Sequence, residues 1–134
     1  MDKTNPPKTF GVFKPVGHTL IAFRSDADLQ AAVGLLTEAG FTDSTCVRYT
    51  PAEMMAQAES ELLTAGPLAS FGYELDLVNA HRVLARSGCS FLVVHAPDDA
   101  LAERVAAVAR ASKAVTAQHY GTFMIEDVIK LPAS

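Results

Sequence analysis

The fold is decided by residues 19–40, which read TLIAFRSDADLQAAVGLLTEAG. The apolar run at residues 19–23 is long enough for a strand and too short for a helix. Ser25 then supplies an N-cap, with Asp28 as an acid three residues later, close to a capping box. Gly40 stands where a left-handed residue ends a helix, and the helix before it carries one apolar stripe: Leu29, Ala32, Val33, Leu36 and Ala39. The stretch therefore predicts a buried strand followed by an amphipathic helix.

A second unit of the same kind lies 72 residues further along the chain. That offset aligns strand, cap and helix-core positions in the same order: Leu20 with Leu92, Ile21 with Val93, Asp26 with Asp98, Leu29 with Leu101, Val33 with Val105 and Ala39 with Ala111. Chance similarity between Ala-rich helices explains the helix matches better than it explains this shared order. Each unit continues into a segment of alternating side chains, which predicts strands at 45–49 and 115–120. Two tandem βαβ units predict an α+β, ferredoxin-like fold, an antiparallel sheet with strand order 4-1-3-2.

Between the two units, residues 51–87 predict a helical insert. Its first helix begins at TPAE, residues 50–53, where Thr is the N-cap, Pro is N1 and Glu is N3, and it should run to about Ala65. A second helix is predicted from about Gly72 to Ser87.

The two ends of the chain have weaker patterns. Residues 1–17 hold three of the seven prolines and predict an extended arm with a short strand at Phe10 to Phe13. Residues 122–131 predict a short closing helix, because three apolar side chains have helical spacing: Ile125, Val128 and Ile129. Residues 18–134 then form a single domain.

The predicted central strands, residues 19–23 and 91–95, are apolar almost throughout. A strand with one face in water alternates instead, so both faces of these strands should be buried. The two helices of the repeat cover only one face. Either the insert at residues 51–87 or a second subunit must cover the other face of the sheet. As a partner, a second copy of the chain in a homodimer is favoured.

Composition excludes several classes of function. The chain has 134 residues, 49% of them hydrophobic, and a net charge of −4 without a basic run, which argues against binding to nucleic acid or to an anionic membrane. Neither a secretory signal nor an apolar stretch of transmembrane length is present, so a cytoplasmic location is expected. Cys46 and Cys89 are expected to be buried free thiols rather than a disulfide.

The histidines are the first candidates for a site. In the predicted topology the end of the fourth strand lies near the start of the first, so His119 and His18 should approach one another. Two imidazoles without a third ligand make an incomplete metal site, and no metal ligand or catalytic residue is assigned. His81 shares an apolar helix stripe with Leu77, Leu84 and Ala85, with Glu74 two turns back on the same side. Such a polar pair must be satisfied by a partner on a neighbouring strand, by a subunit interface or by a ligand.

The remaining polar candidates have less specific patterns. Tyr49, Tyr73 and Tyr120 suit either a pocket rim or the edge of a core. Three glutamates of the insert (Glu53, Glu59 and Glu61) do not share one stripe and predict a solvated helix face. The predicted ligand-pocket residues are Glu74, His81, His95, His119 and Tyr120. The cofactor is unknown, and a small-molecule ligand is possible.

A family resemblance is carried by FRS at 23–25, AAV at 31–33, Leu36 and AGF at 39–41. These residues resemble the opening βα unit of small bacterial general-stress proteins, over about the first third of the chain. The chain departs from that family in its middle, where a charged insert replaces a Gly-rich apolar segment. The resemblance implies a non-enzymatic, stress-associated role.

Three functions follow as hypotheses. The first is a non-enzymatic binding or regulatory module that self-associates through its sheet, because no P-loop, GxGxxG, HExxH, CxxC or GxSxG motif is present. The alternative is a dimeric α/β-barrel-type enzyme or cofactor-binding protein with a pocket between sheet and helices. A small-ligand sensor, similar to amino-acid-binding regulatory domains, is the third.

Overall fold

The computed structural model describes residues 1–4, 6, 8–9, 12–64 and 73–132. The helices are α1 (Asp26–Glu38), α2 (Pro51–Thr64), α3 (Tyr73–Arg86) and α4 (Asp99–Ala111), with a 3-10 turn at Asp43–Thr45. The strands are β1 (Lys8–Thr9), β2 (Val12–Phe13), β3 (His18–Phe23), β4 (Cys46–Tyr49), β5 (Ser90–His95), β6 (Ala114–Tyr120) and β7 (Ile125–Ile129).

Five strands form one open antiparallel sheet in the order β4-β5-β3-β6-β7. This confirms the α+β class. Numbered along the chain within this sheet, the order is 2-3-1-4-5. Read from the opposite edge, it holds the four predicted strands in the order 4-1-3-2 and adds a fifth, so the four-stranded ferredoxin-like sheet is not matched. The edge that was predicted for β6 is occupied by the additional strand β7.

The predicted closing helix is wrong, because Ile125–Ile129 is β7. Its sequence, IEDVI, contains three β-branched residues, which favour a strand. A tight turn closed by a 2.9 Å hydrogen bond from Gly121 N to Met124 O returns the chain along β6. The backbone of β7 then pairs with the edge of β6, which a helix would have left unpaired.

Capping residues fix where the helices of the two βα units begin. Ser25 caps α1 by accepting a hydrogen bond from Asp28 N at 3.1 Å, and Asp98 caps α4 by accepting from Leu101 N at 2.8 Å. Gly40 ends α1 with φ at 98°, a conformation that favours glycine. The helix start predicted at Ser25 is therefore confirmed. The cap equivalent to Asp98 is Ser25 and not Asp26, so the predicted alignment of the two units is one residue out of register at this position.

Helices cover both faces of the central strands. Leu20 and Phe91 face a core shared with α2 and α3, which contribute Met54, Ala58, Leu77 and Val78. Their neighbours Ile21 and Leu92 face the core of α1 and α4 on the other side. This explains why the two strands are apolar throughout. The insert is thus the cover of the second face, and the argument that predicted a homodimer loses its premise.

The N-terminal segment adds a small hairpin of β1 and β2. The strand predicted at residues 10–13 lies partly outside the described residues, and its second half is β2. Phe13 is buried, and its ring lies 6.3 Å from that of Tyr49 and 6.4 Å from that of Tyr120. Cys46 is half-buried and Cys89 buried, and both are free thiols. None of the described helices is long and apolar enough to cross a membrane.

Candidate functional site

The predicted approach of His18 to His119 is wrong by one residue of register. In the sheet, His18 lies opposite Tyr120 and His95, whereas His119 lies opposite Thr19. Because successive side chains of a strand point to opposite faces, His119 lies on the α1 and α4 face and His18 on the α2 and α3 face. The two imidazoles cannot share a ligand.

His18 pairs with His95 instead. His18 Nδ1 lies 3.0 Å from the carbonyl oxygen of Val16, an acceptor only, so Nδ1 carries the proton. In the neutral ring, Nε2 then accepts from His95 Nδ1 at 3.3 Å. Burial lowers the pKa of His18, which favours the neutral form of its ring. Within the described residues no cluster of three metal-ligating side chains is present. The hydrogen bond between the two imidazoles links the start of β3 to the end of β5.

His81 is buried in a polar chain between α3 and the sheet. Its Nε2 donates to Gln118 Oε1 at 3.3 Å, Gln118 Nε2 donates to Thr116 Oγ1 at 2.7 Å, and Thr116 Oγ1 donates to the carbonyl of Ile129 at 2.7 Å. Burial lowers the pKa of His81 to about 4, so the imidazole is neutral near pH 7. A partner on a neighbouring strand was one of its predicted roles. Glu74 lies in α3, but its side chain is outside the described residues.

His119 lines a cleft of about 400 Å³ between α4 and the β6–β7 hairpin. Its Nδ1 lies 2.8 Å from the hydroxyl of the fully buried Thr19, which fixes the ring. The charged side chains of this cleft are Asp99, Glu103, Arg110 and Glu126. Burial lowers the pKa of His119, and the charges of Glu126 and Asp99 oppose that shift.

A pocket of about 470 Å³ lies between the N-terminal segment and α2, and we call it the Tyr49 pocket. Tyr49 is only 2% exposed, and its hydroxyl has no hydrogen-bond partner among the described residues. Glu61, also 2% exposed, is a second lining residue. The rest of the lining is Lys3, Thr4, Pro6, Glu53, Ala56, Gln57 and Ser60.

A capping box holds the mouth of the Tyr49 pocket in place. Glu53 N donates to Thr50 Oγ1 at 3.1 Å, and Thr50 N donates to Glu53 Oε1 at 3.0 Å, as TPAE predicted. The second oxygen, Glu53 Oε2, lies 2.8 Å from Lys3 Nζ. The bond from Lys3, followed by that from Thr50, lowers the pKa of Glu53. Its carboxylate is therefore charged and held in one orientation.

Glu61 is the residue that sequence reasoning missed. The prediction of a solvated face rested on the three glutamates not sharing one stripe, and it is wrong for Glu61. The missed signal was its spacing from Met54 and Ala58, both buried, at positions i, i+4 and i+7 of one helix. That stripe turns Glu61 toward the core.

Comparisons of this chain with protein-family models, with curated proteins and with solved structures find no match.

Proposed function

We propose that this protein is a non-catalytic binding module for a small organic ligand, and that the ligand occupies the Tyr49 pocket. The observation that carries the proposal is the buried Tyr49 hydroxyl, which lacks a partner among the described residues. A buried polar group left without a hydrogen bond costs about 1–3 kcal/mol. A phenol hydroxyl can both donate and accept, so a ligand group that accepts from it or donates to it would recover that energy.

The pocket has the dimensions and lining of a small-molecule site. Its volume of about 470 Å³ falls in the range of ligand pockets, roughly 300–1,000 Å³. Apolar surface comes from the Tyr49 ring, Pro6 and Ala56, while Glu53 and Glu61 supply acceptors. Such a combination of apolar walls with a few polar groups orients a ligand as well as holding it.

Tyr49→Phe is expected to weaken ligand binding roughly fivefold, the effect of losing one neutral hydrogen bond. The probes are benzylamine, benzyl alcohol and benzoate, titrated separately and followed through the backbone amide shifts of residues 49–61. The same variant should unfold at the same urea concentration as the wild type, or higher, because it removes a hydroxyl that has no partner among the described residues.

The matched control for this experiment is Tyr73→Phe. This substitution also removes a phenol hydroxyl. In the wild type, that hydroxyl donates to Asp127 at 3.0 Å, away from the Tyr49 pocket. Its binding constants should equal those of the wild type. If none of the three probes shifts the pocket amides, or if Tyr49→Phe binds as the wild type does, the proposed function is wrong.

The second candidate is the alternative predicted from sequence, an enzyme or cofactor-binding protein with a pocket between sheet and helices. The His119 cleft favours it, because a neutral imidazole held by Thr19 has the protonation state of a general base near pH 7. A stress-associated role, self-association and a cytoplasmic location stay predictions.

His119 is expected to titrate below the ordinary histidine pKa, because burial disfavours the imidazolium. Glu126→Gln should lower the pKa of His119 further, since it removes a charge that stabilises the protonated ring. An NMR titration of the ring protons measures both values. A pKa of His119 above the ordinary value, or one that rises in Glu126→Gln, would contradict this description of the cleft.

A further inference from the structure

Lys3 is a basic side chain in the lining of the Tyr49 pocket. Its ammonium nitrogen lies 2.8 Å from Glu53 Oε2 and 5.6 Å from the centroid of the Tyr49 ring. Both partners line the pocket. An ammonium group therefore already contacts one carboxylate and one aromatic face of this site.

The charges around the pocket favour a cation. Among the described lining residues, Lys3 is the one basic side chain, against the acids Glu53 and Glu61. Burial, followed by the charges of Glu53, Asp2 and Glu61, raises the pKa of Tyr49, so its hydroxyl stays protonated. A carboxylate together with an aromatic face is a combination that recognises organic ammonium groups.

We propose that the Tyr49 pocket binds small organic ammonium compounds, and that Lys3 fills the ammonium subsite until such a compound displaces it. This inference rests on the proposed function and adds its ligand class and a built-in competitor.

The contacts of Lys3 are weak enough to be displaced. The side chains of Lys3 and Glu53 are 38% and 44% exposed, and exposed ion pairs stabilise little. Glu53 stays oriented by its capping box when Lys3 leaves, because Thr50 still donates to Oε1. The ligand therefore meets a preformed carboxylate.

The test compares benzylamine with its neutral analogue benzyl alcohol, by titration at low ionic strength, where exposed charges are least screened. Lys3→Gln is expected to bind benzylamine about three- to tenfold more tightly than the wild type, because the competitor is gone. Its affinity for benzyl alcohol should stay within about twofold. Glu53→Gln should weaken benzylamine binding about fivefold or more, and its amide oxygen can still accept from Thr50 in the capping box.

The matched control is Lys113→Gln. Lys113 is exposed, follows the end of α4 and does not line the Tyr49 pocket. Its substitution therefore removes the same charge as Lys3→Gln, but at a site outside the pocket. If Lys113→Gln tightens benzylamine binding as much as Lys3→Gln does, only net charge matters and the competitor role of Lys3 is wrong. If benzyl alcohol or benzoate binds in the pocket and benzylamine does not, the ligand class is wrong while the proposed function stands. If no probe binds, the proposed function itself fails.

Discussion

Leu77→Ala is expected to lower the free energy of unfolding by about 2–5 kcal/mol, the range for truncating a buried leucine. Leu77 lies on α3, is 0% exposed and belongs to the core that includes Leu20 and Phe91 of the central strands. The truncation removes transfer energy and leaves a cavity between the insert and the sheet. Urea denaturation followed by circular dichroism measures the loss.

Val83→Ala on the same helix is the control. Val83 is 52% exposed, so its truncation should change the free energy of unfolding by no more than about 0.5 kcal/mol. Equal and small effects of the two substitutions would mean that α3 does not pack on the sheet. The second face of the sheet would then again need another cover, such as a second subunit.

Much of the fold follows from local signals. The caps at Ser25 and Asp98, the glycine that ends α1 and the apolar central strands are all read within about twenty residues of sequence. The burial of both faces of β3 and β5 also follows, because neither strand alternates. These features depend on residues that are close together in the chain, so local sequence patterns predict them.

Features that depend on contacts between distant segments are harder to predict from the sequence. Ile125, Val128 and Ile129 fit a helical stripe, but the free edge of β6 and the turn after Gly121 make this segment a strand. The sequence also left open whether the insert or a second subunit covers the second face. Both choices depend on contacts between distant segments, which local periodicity does not report.

The candidate site illustrates the same limit at the level of single residues. A shift of one residue in the register of β3 and β6 decides that His18 meets His95 rather than His119. The sequence predicts that Tyr49 suits either a pocket rim or the edge of a core, and the hydroxyl without a partner among the described residues is visible only in three dimensions. The solvated face predicted for Glu61 is wrong, because Glu61 shares a helix stripe with the buried Met54 and Ala58 rather than with the other glutamates.

The free energy of unfolding is expected to fall by about 2 kcal/mol between pH 7 and pH 5 because of His81. In the folded state burial lowers its pKa from 6.5 to about 4, so the folded protein stays unprotonated there while the unfolded chain takes up a proton. Stability from this group is therefore complete above about pH 7 and falls as the pH drops toward 4. Urea denaturation at the two pH values measures the difference.

His81→Gln isolates this effect from those of the other histidines. Burial also lowers the pKa values of His18 and His119, so both add to the loss of stability in acid and both persist in the variant. The variant should be less stable than the wild type at pH 7, since the contact with Gln118 changes, but it should lose about 2 kcal/mol less on going to pH 5. An equal loss in both proteins would mean that the folded protein protonates His81 as readily as the unfolded chain does, so that burial does not lower the pKa of His81. Glu61 is the other titratable group among the described residues lining the cavity of about 10 Å³ beside His81, and it would then be the group that stabilises the buried charge.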